Sequence, residues 1–415
     1  MKLCIFTNHF FPEDFKVNDI AFELVNRGVD VTVITAIPDY PQGKFFDGYG
    51  LFKKNKEWVN GCRVIRLPII PRGKGGSKRL ILQYISYYIS SIVFTFFHKF
   101  FHKYDGVFVH LTSPFFIGLA ASHLKRYQKI PMFFWTLDLW PESITAAAGI
   151  SHPIVIGPLT RQVQKVYDNC DKILIGSKGF ELSILEKGDY KDKLVYFPNW
   201  CEITSGEILS ADYSEIEPFV SLTEKDFVVL FAGNLGEAQN ICCIIDAAID
   251  LFDSNPEIKF VFLGDGRAKE QAVQKSEQAG VLGKTVFFPG RFPIESMPFF
   301  MSKASVLLVS LRDELIFNLT VPSKVQFYMA QGKPILAMLN GDGADLIAES
   351  KCGIAVPAND KKAFATALKK MGSLPEDELS QLGANGKEYY EKNFTKEQRM
   401  EQLMGLISSS TYSNY

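Results

Sequence analysis

Short apolar runs, each closed by a polar or glycine-rich stretch and followed by a helical pattern, recur along the whole chain. Residues 3–7 (Leu-Cys-Ile-Phe-Thr) read as a strand buried on both faces. A polar loop over 8–18 leads to a helix over 19–27 that Gly28 stops, and 31–36 is the next strand, which completes a βαβ unit. Further runs at 63–67, 106–111, 132–137, 172–176 and 194–197 extend this into a doubly wound α/β domain over 1–200. Residues 202–225 are polar, acidic and without period, which predicts a linker over 201–225. A second series at 227–234, 259–264, 284–289, 304–310, 334–339 and 353–356 predicts another Rossmann-like domain over 226–393. An amphipathic helix at 394–407 opens the terminal segment 394–415, which is expected to fray from Ser408.

One stretch breaks the pattern. From Leu80 to Phe97 no charged residue occurs, while Arg72, Lys74, Lys78 and Arg79 precede it and Lys99 and Lys103 follow. Its length barely reaches that of a membrane span, and Gln83, Tyr84, Ser86, Tyr87, Tyr88, Ser90, Ser91 and Thr95 make it too polar and aromatic for hydrocarbon. Aromatic residues with basic flanks suit the headgroup boundary, so 72–103 is expected to associate with an anionic membrane surface. The alternative is an ordinary buried helix of the α/β domain.

Composition narrows the function classes. A chain of 415 residues is too long for one core, in keeping with two domains. With Lys+Arg 45 against Asp+Glu 46 the formal net charge is −1, so nothing pulls the molecule toward nucleic acid. The seven cysteines lack C-x-x-C spacing and read as reduced core thiols of a cytosolic protein. No metal site is expected from the six histidines. The N-terminal run is too short and too quickly polar for a signal peptide, so the protein is expected in the cytoplasm, peripheral on the inner face of the membrane.

The chemistry concentrates after the second-domain strands. Thr320 and Pro322 open a helix, 323–331 carries no breaker, and Gly332-Lys-Pro334 stops it ahead of the strand at 335–339. The helix thus begins just past the C-terminal edge of a parallel sheet. Its free N–H groups, its dipole and the Lys324 ammonium make a site for a phosphate or diphosphate; the alternative is a solvated helix lysine. Gly233-Asn-Leu-Gly236, Gly264-Asp-Gly-Arg267 and Gly290-Arg-Phe-Pro293 also follow strands, so Arg291 and Lys324 are expected to reach one diphosphate. In the first domain, His110-Leu-Thr-Ser-Pro114 and Thr136-Leu-Asp-Leu-Trp-Pro-Glu-Ser143 bring an imidazole, hydroxyls and two carboxylates to strand ends. His110 reads equally as a satisfied sheet-edge histidine, and Glu142 as a helix N-terminal residue beside Pro141. No G-x-G-x-x-G follows the first strand, which argues against hydride transfer.

These stretches, together with Glu13-Asp-Phe-Lys-Val-Asn-Asp-Ile20, Phe231-Ala-Gly-Asn-Leu-Gly236, Pro322-Ser-Lys324 and Tyr328-Met-Ala-Gln-Gly-Lys-Pro334, span nearly the whole chain. In them the sequence resembles the retaining glycosyltransferases of family 4, with the GT-B fold, and within that family the WbuB-like enzymes that extend O-antigen or capsule units on undecaprenyl diphosphate. The resemblance implies two Rossmann-like domains facing a central cleft, the donor on the second, the acceptor on the first, and a last helix that crosses back to the first. By it, Arg291 and Lys324 match diphosphate contacts and act with Asp138 as catalytic residues. Gly233, Asn234, Leu235, Gly236, Phe292, Pro322, Ser323 and Asp342 fall on the donor side, with Phe292 where the base would lie. Lys16, Asn18, His110, Thr112, Ser113 and Glu142 fall on the acceptor side. The family's E-x7-E pair aligns with Leu319 and Phe327, so both carboxylates are absent; Glu314, Gln326 and Asp342 are the polar residues nearby. Leu137 stands where many relatives carry a histidine.

The resulting expectation is transfer, with retention and without metal or other cofactor, of an N-acetylated hexosamine or deoxyhexosamine such as FucNAc from a UDP-sugar to a lipid-linked saccharide. The rival readings are a sugar-nucleotide 2-epimerase of the same fold and a catalytically lapsed sugar-nucleotide binder.

Overall fold

The computed structural model describes residues 1–73, 77–201, 222–223 and 225–412. Lys74, most of the expected linker (202–221 and 224) and the last three residues lie outside these, as do the side chains of 77–78, 146–148 and 411–412. The chain divides into two units, Met1–Pro198 with Glu397–Tyr415, and Asn199–Lys396.

The first unit is built on eight strands: β1 (Lys2–Thr7), β2 (Asp30–Ala36), β3 (Lys56–Val59), β4 (Cys62–Leu67), β5 (Gly106–Leu111), β6 (Met132–Thr136), β7 (Lys172–Ile175) and β8 (Leu194–Tyr196). Their order is β3-β4-β2-β1-β5-β6-β7-β8, parallel throughout except for β3 against β4. Helices cover both faces of a parallel sheet, so β1, β5 and β6 read as unbroken apolar runs and are buried at every position past Lys2. Strand order reverses between β1 and β5, and the crevice beyond their C-terminal ends is where such a sheet offers a ligand room.

Three local features differ from the sequence reading. β3 and β4 form a hairpin across Asn60 (φ 45°) and Gly61 (φ 78°), the positive dihedrals that a tight two-residue turn demands. The first helix begins early, as Lys16–Asn26, because Asn18 does not break it. The buried Asn18 amide donates to Glu13 O at 2.7 Å and accepts from Phe11 N at 3.0 Å, tying the preceding loop to the helix. The last helix, Lys396–Tyr412, runs past Ser408; Met400, Leu403 and Ile407 are fully buried, and Gln402 donates to Tyr196 O at 3.0 Å.

The uncharged stretch forms the helix Ser77–His98, long and apolar enough over Arg79–His98 to cross a membrane by length and composition. Its two faces are inverted relative to an ordinary surface helix. Gln83, Tyr87, Ser91, Thr95 and His98 are buried, while Ile81, Leu82, Ile85, Ile89, Val93, Phe96 and Phe97 are exposed, with Phe100 and Phe101 continuing the stripe. Two of the expected basic flanks are withdrawn. Lys99 is buried, its ammonium 4.6 Å from the centroid of Phe96 and 4.5 Å from that of Tyr127, and the Arg72 guanidinium lies 5.0 Å over Tyr40.

The second unit carries β9 (Phe227–Ala232), β10 (Ile258–Leu263), β11 (Val286–Gly290), β12 (Val306–Ser310), β13 (Ile335–Met338) and β14 (Gly353–Val356), all parallel in the order β11-β10-β9-β12-β13-β14. Phe231, Ile244, Phe260, Leu308, Leu336 and Phe364 belong to its apolar core, and order reverses between β9 and β12. Both units are therefore Rossmann-like parallel sheets, an α/β fold of GT-B type.

Candidate active site

In the second unit three strands end in glycines that are stitched side by side. Gly264 N–H donates to Gly290 O at 2.7 Å and Gly233 N–H to Leu263 O at 2.9 Å, and a Cβ added to Gly264 would meet Gly233 O at 1.8 Å. Neighbouring strands lie about 4.8 Å apart, so this bare ledge spans two spacings, roughly 10 Å. Lys324 occupies one end of it. The helix Ser323–Ala330 starts after Pro322, and the hydroxyl of Tyr328, one turn on, accepts from Ala232 N at 3.0 Å. That anchor brings Lys324, four residues earlier on the same face, over β9: its Nζ lies 4.8 Å from the Phe231 ring centroid, and a Cβ on Gly233 would sit 2.6 Å from its Cε.

Lys324 has neither ion pair nor hydrogen bond among the described residues, and burial pulls its pKa down to about 8. A largely desolvated ammonium without a counter-ion is costly, and a bound anion relieves that cost. At the other end of the ledge Arg291 is exposed directly after Gly290, also without a partner among the described residues. Phe292, half-buried, packs on Phe300 with centroids 4.6 Å apart. Asn234 is exposed, and Gly236 is close beside it. Leu235 departs from the expected donor contact: its side chain is fully buried in the core, so only its backbone, which donates to Asp265 O and accepts from Ala268 N, belongs to the loop. Ser323 is exposed at the first turn, and Pro322 abuts Gly343 in the first turn of the helix Asp342–Ser350 that follows β13 and begins with Asp342.

Leu319 and Phe327 are half-buried. Glu314 directly precedes the short helix Leu315–Asn318, and its side chain makes no capping hydrogen bond to it. Gln326 lies roughly 200° round the helix from Lys324 and is buried with both amide atoms unpaired, so it does not join the ledge. Among the described residues no three His, Cys, Asp or Glu side chains gather as metal ligands do.

In the first unit the switch point between β1 and β5 opens into a pocket of about 270 Å³ including its mouth, lined by Asn8, His9, Asp39, Arg72, Gln83, Tyr84, Tyr87 and Ser113. Beside it Trp140 Nε1 lies 3.2 Å from both Asp138 Oδ2 and Ser113 Oγ, and Ser143 Oγ donates to Asp138. Burial raises the Asp138 pKa, against hydrogen bonds from Ser143, Ser113 and Trp140 that favour the charged form.

Four of the expected acceptor-side residues are engaged within the protein. His110 is 1% exposed and satisfied: Thr7 Oγ1 gives its proton to His9 O at 2.9 Å, so it accepts from His110 Nδ1 at 3.1 Å, and burial holds the imidazole pKa at about 3. Glu142 is held by Lys187 Nζ at 2.6 Å and Ser183 Oγ at 2.8 Å, which ties its helix down. Asn18 is spent on the loop described above. Lys16 pairs with Asp19 at 3.0 Å, one turn along its own helix. Thr112 is partly buried, with a hydroxyl that has no partner.

Sequence reasoning named Ser113 but missed other residues that shape this pocket. Asn8 directly follows β1, a position that could have marked it. Glu13 holds the pocket's loops together, its carboxylate accepting from Asp39 N at 3.0 Å, Tyr40 N at 2.7 Å and His9 Nδ1 at 3.0 Å. Gln83 and Tyr84 sit in the stretch read for its membrane character alone.

The family model described as "Glycosyl transferase 4-like domain" matches residues 16–200, and that described as "Glycosyl transferases group 1" matches 226–373. The chain is 30% identical over 285 residues to the probable glycosyltransferase WbjE of Pseudomonas aeruginosa, covering 66% of this chain and 68% of that one. It is 23% identical over 422 residues to the putative colanic acid biosynthesis glycosyl transferase WcaI of Escherichia coli K12, covering 98% and 100%. Among solved structures, Anabaena HepE in complex with UDP superposes with a TM-score of 0.71 at 13% identity, covering 99% and 100%. Two matched domain models, a 30% identical relative and two Rossmann-like sheets with a bare glycine ledge under an unpaired lysine converge on one conclusion: the chain belongs to the GT-B glycosyltransferases, with a 4-like first domain and a group 1 second domain.

Proposed function

We propose that the protein transfers a sugar from a UDP-sugar to an undecaprenyl-diphosphate-linked saccharide, with retention, as the WbuB-like enzymes of O-antigen and capsule synthesis do. The observation that carries the donor half is the Lys324 ammonium, unpaired among the described residues and laid against the Gly233 backbone. A diphosphate on that ledge meets Lys324, the exposed N–H groups at the start of helix Ser323–Ala330 and, within side-chain reach, Arg291. The UDP bound by HepE supports a nucleotide donor, and the name of WcaI supports polysaccharide assembly.

In this reading the acceptor hydroxyl attacks from the face that the leaving group quits. The diphosphate oxygen takes the proton, and Lys324, Arg291 and the helix N–H groups hold the negative charge that develops. Charge neutralisation by the protein makes transfer independent of divalent metal. On the acceptor side Asp138, with Ser113 and Thr112 nearby, orients the attacking hydroxyl. The transferred sugar is an N-acetylated hexosamine or deoxyhexosamine. The inverted helix Ser77–His98 lays its apolar stripe on the cytoplasmic leaflet, where a lipid-linked acceptor waits.

Calorimetric titration of UDP, followed by turnover on a synthetic lipid-diphosphate saccharide with a panel of UDP-sugars, tests this. Saturable UDP binding and a glycosylated product of retained anomeric configuration are expected. Binding without turnover would mark a lapsed enzyme, and release of an epimerised free sugar the epimerase.

A further inference from the structure

The parallel sheet of the second unit is split along one line. β9 is paired with β10 as far as Ala232, opposite Leu263, and β12 with β13 as far as Ser310, opposite Met338. Between β9 and β12 the register sets Val229 against Val306 and Leu230 against Leu307 and goes no further. Continued, it would set Ala232 against Val309. The split lies at the switch point where strand order reverses, one residue before the first glycine of the ledge. Because Gly233 N–H faces β10, where it donates to Leu263 O at 2.9 Å, Ala232 turns its own N–H and C=O the other way, toward the split.

Ala232 is buried, so both groups need partners. One side-chain atom serves both: Tyr328 Oη accepts from Ala232 N at 3.0 Å and donates to Ala232 O at 3.3 Å. The Tyr328 side chain is fully buried, and its hydroxyl stands where the neighbouring strand would have stood. The other end of the helix Ser323–Ala330 is fixed by close backbone approach. A Cβ on Gly383 would meet Gly332 O at 2.1 Å, and one on Gly386 would lie 3.6 Å from Met329 Cα, so the helix Glu376–Asn393 leaves that end no room to slide. With the far end blocked, the tie at Tyr328 sets how close the first turn lies to β9. Lys324 is on that turn, about 6 Å along the helix axis and on the same face.

We propose that Tyr328 is a positioning residue of the donor site: its hydroxyl, by holding both polar groups of Ala232 at the split, fixes the Lys324 ammonium over Gly233 at the spacing a diphosphate needs. The proposal rests on the reading of Lys324 as a diphosphate contact. Buried as it is, Tyr328 acts on the donor through Lys324 and the strand end. Phenylalanine at this position keeps the ring but offers neither donor nor acceptor. Two backbone groups are then left to draw in water, the first turn lifts from β9, and Lys324 becomes better solvated.

The test compares wild type, Tyr328→Phe and Lys324→Ala by calorimetric titration of UDP near pH 8–9, in buffers of different ionisation enthalpy. Tyr328→Phe is expected to weaken UDP binding by about tenfold or more. It should also shrink the proton uptake, because a better solvated Lys324 returns from a pKa of about 8 toward the ordinary 10.5 and is already charged before UDP arrives. A change that only loosened the fold would lower affinity with the uptake unchanged, and that result, like unchanged affinity in the folded variant, overturns the proposal. If the variant does not fold, amide exchange on the wild type decides. Coupling is reciprocal, so UDP should slow exchange at Ala232 by about the same tenfold, and an Ala232 amide indifferent to UDP overturns the proposal. Lys324→Ala tells the two readings apart. If it loses UDP while Tyr328→Phe does not, the positioning role fails alone; if it binds UDP as the wild type does, the diphosphate reading fails and the positioning role with it.

Discussion

A Cβ on Gly233 would lie 2.6 Å from Cε and 3.1 Å from Nζ of Lys324, so the absence of a side chain at one residue is what lets the other's ammonium rest on the strand end. Gly233 also has φ 138°, a conformation that L residues rarely adopt. Gly233→Ala is therefore expected to push Lys324 off the ledge and to weaken UDP binding by about tenfold or more, roughly 1.4 kcal/mol. Calorimetry on the folded variant checks this, and unchanged affinity would separate the glycine from the donor site.

Lys324→Ala and Arg291→Ala should each lower kcat by about 100-fold to 1,000-fold, roughly 2.7–4 kcal/mol, by analogy with loss of one preorganised oxyanion donor. EDTA should leave turnover of the wild type intact. If EDTA abolished activity and magnesium restored it, or if both variants kept near-normal rates, the charge on the leaving diphosphate would be held by something other than these two side chains.

The depressed Lys324 pKa gives donor binding a pH signature. Burial holds it at about 8, so the ammonium is present below that value and is lost as pH rises through it. A bound diphosphate favours the charged form and raises the pKa, so UDP binding near pH 8–9 should take up a proton, and affinity should fall above about pH 8. Titrations in buffers of different ionisation enthalpy measure the proton count, and Lys324→Ala should abolish the uptake.

The inverted helix makes a prediction that an ordinary surface helix would not. Ile85, Ile89 and Val93 are each 46–55% exposed, so serine at all three should leave the melting temperature nearly unchanged. Each such side chain is worth about 1.5–3 kcal/mol when fully buried, so vesicle binding should nonetheless fall by several kcal/mol. Neutralising Arg79 and Lys103 should cost about 1 kcal/mol each, and that part should vanish at high salt. Co-sedimentation indifferent to the triple serine change would remove the membrane from the account.

His110 links stability to pH. Burial keeps its folded pKa near 3, below the ordinary 6.5, so the neutral form is favoured in the fold. The stability it confers is complete above about pH 6.5 and is lost as pH falls toward 3, because the unfolded chain binds the proton first. Between pH 7 and pH 5 this amounts to about 2 kcal/mol. Urea midpoints of wild type and His110→Asn at pH 7 and pH 5 measure it, the variant showing the smaller drop.

The α/β class and the parallel sheets were legible because strands buried on both faces leave unbroken apolar runs, as in Leu3 to Thr7 and Val306 to Ser310. The loop after β12 was legible too, since proline, glycine and a short breaker-free run are local signals whose meaning does not depend on distant residues. One local signal was passed over: Asn60-Gly61 between alternating strands is a hairpin mark, and β3 lies beside it.

What the tertiary structure alone decided is which polar side chains are already spent. His110 and Glu142 stand at strand ends as candidate chemistry does, yet one is held by Thr7 and the other, through Oε1, by Lys187. Composition showed that the stretch from Leu80 to Phe97 was uncharged. It could not show that its polar residues turn inward and its apolar ones outward, because a helical period marks two faces without saying which meets the protein. Nor could it bring Asn8, Arg72 and Gln83 into one pocket, since their meeting rests on the β1/β5 crossover and on long-range hydrogen bonds through Ser113 and Asp39. Sequence alone determines period and local breakers, whereas the pairing of distant polar groups is set by the energy of burying them together.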